Sequence, residues 1–430
     1  MIHPLKTILS GGSAQQTGAF SVCSASPLVL RTAARHAKQY NYTVIIEATA
    51  NQVNQFGGYT GMVPAEYAAM VFKIAAEEGL DESRVILGGD HLGPLNWQGL
   101  PEDEAMANSE ELVTQYTLAG FTKIHLDTSM RVATDDQNAA LDVRVCAKRG
   151  ARLANCVKAA YEKLLETKPE AMRPVLVIGS EVPIPGGSQE HEDSITPTNP
   201  DEFRRQYGVF TEEFKAVGAP IEDVVGFVVQ PGVEFGDDFA FQYNRENAAN
   251  LVGALSDYAP LVFEGHSTDY QTTESLSNMV TDGIKILKVG PALTFGLREA
   301  LFLLEHCEEV MIADPAKRSH VKETILAEMN ANTGYWKKYY QGTEEEIEYK
   351  KLYSYSDRCR YYLPAPAIDA AITKLLENTK DVPMALICQY LPHQYWKVMD
   401  GKLSTNGTDL VIDRIGNWHD IYAIACGVEI

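Results

Sequence analysis

Short apolar, β-branched runs alternate with longer amphipathic stretches from the N-terminus to about residue 310. The runs fall at 19–23, 43–48, 85–89, 123–127, 175–180, 224–230, 261–265 and 284–289. Uninterrupted apolarity over five to seven residues is what a strand buried on both faces requires, as in a parallel sheet. Between them lie segments with helical spacing. Tyr67, Val71 and Ile74 share a face in 64–78, and Met106, Leu112, Val113 and Tyr116 recur in 104–119. Eight strands, each followed by a helix, predict an α/β fold, a (β/α)8 TIM barrel closed by right-handed crossovers. An open doubly wound sheet is the alternative, weakened by the lack of G-x-G-x-x-G after the first run.

In such a barrel, chemistry collects at the C-terminal ends of the strands. Those ends here carry Ser24, Glu47 with Asn51 and Gln52, Asp90-His91, His125 and Asp127, Glu181, Gln230 with Glu234, Glu264 with His266, and Lys288 with Gly290. Burying so many polar groups unpaired would cost several kcal/mol each, so stability alone does not account for them. They predict a functional pocket.

Beyond 298–311, read as the eighth helix, the strand pattern stops. Residues 312–430 hold helical patterns, an acidic run at 344–348 and tyrosine-rich stretches at 335–340 and 353–362. The expected division is a barrel over 1–311 and a helical extension over 312–430, packed on the barrel or on a partner subunit.

Composition adds constraints. The 430 residues are 45% hydrophobic and 22% charged, the balance of a protein with a sizeable core. A formal charge of −21 disfavours nucleic acid and anionic membranes as partners. No apolar run reaches the length of a membrane span, and residues 1–10 lack a signal-peptide pattern, so a cytoplasmic protein is expected. The seven cysteines are scattered and form no CxxC pair, which predicts reduced thiols.

His91 and His266, with one or more of Glu181, Gln230 and Asp127, would converge over the barrel mouth as ligands of a catalytic divalent ion: Zn²⁺, with Mn²⁺, Mg²⁺ or Ni²⁺ as alternatives. Local hydrogen bonding without metal is the competing fate of these histidines. Asp90 is placed to move a substrate hydroxyl proton. Amides around Gly265, Ser267 and Gly290, at a helix start near Thr294, are candidates to bind a phosphate, with Lys288 and Arg298 adding charge and Asn51 and Gln52 contacting substrate.

Longer stretches carry a family likeness: SVCSASPLV from Ser21, IEATANQVNQFGGYTGM from Ile46, ILGGDHLGP from Ile86, AGFTKIHLDTSM from Ala119, IGSEVPIPGG from Ile178, VVQPGVEF from Val228, EGHSTDYQ from Glu264 and LKVGPALTFGLREA from Leu287. YWKKYY from Tyr335, YSDRCRYY from Tyr355 and QYLPHQY from Gln389 extend it through the C-terminal region. The chain thereby resembles the Z-type (GatZ/KbaZ) subunits of class II tagatose-bisphosphate aldolases. The resemblance implies a TIM barrel, a role at the tagatose 6-phosphate or 1,6-bisphosphate step of sugar catabolism, and a Y-type catalytic partner that the Z-type chain stabilises and activates.

Catalytic Y-type chains have an Asp-His pair, matched by Asp90-His91, and a metal histidine before a phosphate loop, which His266 resembles. Where they place a third metal histidine this chain offers Gln230. Relatives described as epimerases of tagatose 6-phosphate and fructose 6-phosphate imply a second expectation: a stand-alone metal-dependent 4-epimerase in which Asp90 or Glu181 shuttles the C4 hydroxyl proton. A homo-oligomer is compatible with either. An older description of the family as tagatose 6-phosphate kinases finds no G-x-x-x-x-G-K-[ST] loop to support it.

Overall fold

The computed structural model describes residues 2–13, 16–179 and 195–430. Its strands are β1 (Ala19–Cys23), β2 (Val44–Thr49), β3 (Val85–Leu92), β4 (Lys123–Asp127), β5 (Val175–Gly179), β6 (Val224–Val229), β7 (Glu234–Phe235), β8 (Ala240–Phe241), β9 (Val262–Gly265) and β10 (Ile284–Val289). Eight of them close a parallel barrel in the order β1-β2-β3-β4-β5-β6-β9-β10, and β10 pairs back onto β1. The protein is therefore a TIM barrel with a helical C-terminal region. The short antiparallel hairpin β7-β8 sits in the loop after β6 and has no counterpart in the sequence pattern.

The apolar runs form strands because both their faces are covered. Side chains such as Val29, Leu30, Tyr67 and Val71 pack helices onto the outer surface. Inside, the lower half of the barrel is filled by Ala19, Ile45, Ile86, Val175, Val177, Val225, Val228, Val262 and Ile286. A six-residue helix, Pro4–Leu9, plugs that end with Leu5, Ile8 and Leu9, and His3 caps it by accepting the Leu5 amide at 3.1 Å. This helix is too short to show a period and was not legible as an element.

Register sets the polar upper half. Thr49 on β2 is level with Asp90 on β3, and Ser21 on β1 is level with Lys288 on β10. Gly88 is required here: a Cβ at that position would fall 2.5 Å from Glu47 Cγ, so the glycine gives the Glu47 side chain its space inside the barrel.

Every described element after residue 311 is helical, and these helices share one continuous hydrophobic core with the barrel. The terminal helix Gly407–Ala425 packs on the barrel helices Pro27–Gln39, Thr273–Thr281 and Pro291–Met311, burying Leu410, Val411, Ile415 and Tyr422. Tyr422 donates its hydroxyl to the Thr268 carbonyl at 2.6 Å, which ties this helix to the loop after β9. The extension thus packs on its own barrel. No described helix is long and apolar enough to cross a membrane.

Candidate metal and substrate site

Alternation along β4 sends Lys123, His125 and Asp127 to the barrel interior, and the same rule turns Glu264 and His266 inward at the end of β9. All five are buried. Their charges are matched in pairs. Lys123 Nζ lies 2.6 Å from Glu47 Oε1 and 2.8 Å from Glu264 Oε2. Lys288 Nζ contacts Glu47 Oε2 and lies 2.9 Å from Asp90 Oδ2. Buried ions are tolerated only when compensated in this way.

Above this layer stand three imidazoles. Ring centroids are 5.2 Å apart for His91 and His125, 5.0 Å for His91 and His266, and 5.1 Å for His125 and His266. Each ring has one nitrogen held by a carboxylate: His91 Nδ1 by Asp127 at 2.8 Å, His125 Nδ1 by Asp90 at 2.8 Å, and His266 Nε2 by Glu264 at 3.0 Å. A carboxylate on one imidazole nitrogen, with the other left over, is the arrangement that orients metal-binding histidines. His125 Nε2 is buried with no hydrogen-bond partner among the described residues, an orphan that a cation would satisfy.

Three rings bound tetrahedrally at about 2.1 Å would have centroids roughly 5.3 Å apart, close to the observed triangle. Asp90, His125, Glu264 and His266 offer ligand atoms within 4.8 Å of one another; His91 is not in that group and stands beside it at the ring distances given above. The residues present fit a divalent ion.

The backbone is strained at the two places that aim these groups. His91 has φ of 50° and Ser267 has φ of 52°, the left-handed region that non-glycine residues enter at a cost of order 1 kcal/mol. Electrostatics sharpen the picture. Burial opposes ionisation of Asp90, but the charges of His91, His125 and His266 overcome it and hold the carboxyl far below its usual range. Burial likewise opposes charge on His91, yet Asp90 and Asp127 raise it to about 9. Burial lowers His266. It also pushes Lys288 down to about 7, although the Glu47 and Asp90 carboxylates at its Nζ support the ammonium form.

A small polar cleft opens over the imidazoles, and Asp90, His91, His266, Lys288, Asn51, Gln52, Ser267 and Gly290 line it. Other sequence-predicted residues are elsewhere. Gln230, expected as a ligand, accepts the Gly232 and Val233 amides through Oε1 at 2.9 and 3.0 Å and does not line the cleft; the third imidazole beside His91 and His266 is His125 from β4. Arg298, expected at a phosphate, is buried against Asp357 at 2.6 Å and does not line the cleft. Gly265 ends β9, is buried and does not line the cleft.

Gly290 lines the cleft, but its amide and that of Ala292 are donated to Asp269 Oδ1 at 3.0 and 2.8 Å, so the expected phosphate nest already holds a carboxylate. Burial raises Asp269 to about 6 despite those amides. Glu181 and the Gly186-Gly187 turn lie outside the described residues. Sequence reasoning missed the contributions of Tyr59, Asp269, Arg360 and Tyr361 to the cleft wall. The last two come from the extension, where two arginines within a run of tyrosines were the only signal.

Fold and site together define a TIM-barrel protein with a buried carboxylate-imidazole cluster, of metal-binding composition, under a polar cleft. The family model described as D-tagatose-1,6-bisphosphate aldolase subunit GatZ/KbaZ-like matches residues 5–427, and the chain belongs to that family.

A crystal structure of a probable tagatose 6 phosphate kinase from Sinorhizobium meliloti 1021 is 40% identical, with a TM-score of 0.86 over 95% of this chain and 100% of that one. More distant is the fructose-bisphosphate aldolase (Fba) of Campylobacter jejuni, 14% identical at a TM-score of 0.43 over 91% and 92% of the two chains. The YdjI aldolase of Escherichia coli K12 is 12% identical at 0.38 over 84% and 95%. Likeness at that distance carries no argument about the site.

Proposed function

We propose that this chain is itself an enzyme, a divalent-metal-dependent 4-epimerase that interconverts tagatose 6-phosphate and fructose 6-phosphate by retro-aldol and aldol steps. The observation that carries this reading is the imidazole triangle, each ring fixed by its own carboxylate, with the Asp90 side chain lining the cleft beside it. The two sugars differ only at C4, so a route through C3–C4 cleavage and re-addition accounts for the change. An ion held by His91, His125 and His266 would polarise the C2 ketone and so stabilise the negative charge left at C3.

Asp90 accepts the C4 hydroxyl proton as the C3–C4 bond breaks, and returns it after the aldehyde has turned its other face to C3. No electrons are gained or lost overall. Both fragments must stay bound between the steps. Tyr361 and Phe235 wall the cleft and help exclude water.

The test is purified protein with Zn²⁺, Mn²⁺, Mg²⁺ or Ni²⁺ and tagatose 6-phosphate. Fructose 6-phosphate should appear without triose phosphate. The matched family is described as an aldolase subunit, and the partner role is the competing reading. An inactive chain that raises the activity and solubility of a co-expressed Y-type aldolase would establish it. The kinase name of the Sinorhizobium relative is not transferred, because the chain contains no G-x-x-x-x-G-K-[ST] loop.

A further inference from the structure

A phosphorylated substrate needs a cation to receive it, and most of the positive charge near the cleft is already spent. Lys123 bridges Glu47 and Glu264, Lys288 bridges Glu47 and Asp90, and Arg298 is paired with Asp357. The helix start at Gly290 and Ala292 is spent as well, on Asp269.

Arg360 differs from all of these. It stands in the short 3-10 turn Arg358–Tyr361 of the extension and lines the cleft, with no carboxylate in ion-pairing distance among the described residues. Its Nη1 donates to the Ser356 carbonyl and, at 3.0 Å, to the Asp357 carbonyl; its Nη2 donates to the Tyr361 hydroxyl at 3.0 Å. Three of its five N–H donors are thereby fixed, leaving two, the number a bidentate phosphate contact uses. The side chain also lines an adjoining, mainly apolar cavity, so it stands where that cavity meets the polar cleft. A rigid, unpaired guanidinium lining a polar cleft, in a chain of charge −21, is a local exception that an anion would complete.

We propose that Arg360 is the anion anchor of this cleft and holds the phosphate monoester of the substrate, so that the extension selects phosphorylated over free ketose. The identity of that substrate rests on the epimerase reading; the anchor itself does not. Asp269, the nearby carboxylate, is neutralised in part by the two amides it accepts.

The experiment has a binding arm and a turnover arm, on the full chain loaded with metal. Calorimetric titration with inorganic phosphate should show binding to the wild type, weakened about 10- to 100-fold in Arg360→Gln and less in Arg360→Lys, which keeps the charge but loses the fork. In the turnover arm, Arg360→Gln should lose about 10- to 100-fold in kcat/KM for tagatose 6-phosphate and distinctly less on unphosphorylated tagatose. Phosphate binding that ignores Arg360→Gln overturns the anchor, as does an equal loss on both sugars. Arg360-dependent phosphate binding in a chain without turnover keeps the anchor and removes the epimerase reading. If Arg360→Gln fails to fold, Arg360→Lys decides: full wild-type phosphate affinity there rejects the bidentate contact.

Discussion

Asp90 Oδ1 lies 2.8 Å from His125 Nδ1 and leaves His125 Nε2 buried without a partner among the described residues. Asp90 thereby has two tasks, orienting the ring and facing the cleft. Asp90→Asn should leave the fold intact and lower kcat by about 100-fold or more, the range of a lost general base, with a much smaller effect on KM. Steady-state kinetics on tagatose 6-phosphate check this. A change confined to KM would remove Asp90 from proton transfer.

Replacing His125 separates the two candidate third donors. His125→Ala should bind less than a tenth of the Zn²⁺ retained by wild type after dialysis, as measured by elemental analysis, because the loss of one of three ligands leaves a weak site. Gln230→Ala should keep wild-type metal content and lose about 1–3 kcal/mol of stability, since the Gly232 and Val233 amides lose their acceptor. Full metal content in His125→Ala would discard the imidazole triangle as the site.

This contrast shows how much was legible from the sequence. The apolar runs located every barrel strand, three of them (Ala19–Cys23, Lys123–Asp127 and Ile284–Val289) with the same ends as in the structure. Lys123, His125 and Asp127 at spacing two already announced a polar face on β4, and the same spacing joined Glu264 to His266. What spacing could not show is which ring nitrogen each carboxylate takes. That depends on register between strands and on the left-handed backbone at His91. Arg360 was beyond reach for another reason: its place in the cleft depends on how the extension folds back, a contact between segments far apart in the chain.

Lys123 tests the buried charge layer. Its ammonium bridges two carboxylates inside the barrel, each within 2.8 Å. Lys123→Met keeps the length of the side chain and strands both acids, which should cost about 3–5 kcal/mol in urea unfolding. The double variant Lys123→Met with Glu264→Gln should recover part of that loss. A single variant as stable as wild type would mean that Lys288 alone compensates the layer.

Stability should also fall on the acid side for a reason outside the cleft. His419 is buried in the terminal helix, its Nδ1 donates to the Ile415 carbonyl at 3.3 Å, and its Nε2 has no partner among the described residues. Burial, reinforced by the charge of His36, holds its pKa down at about 3. Above the ordinary value of 6.5 neither the folded nor the unfolded chain protonates this ring. Between 6.5 and about 3 only the unfolded chain binds the proton, so stability declines as pH falls through that window. By pH 4.5 the loss from this one residue should be about 2–3 kcal/mol. His419→Phe removes the titration, so its urea midpoint should fall less than that of wild type between pH 7 and pH 4.5. Parallel losses in the two proteins would place the acid sensitivity in other groups, His3 first among them, since burial lowers it to about 4.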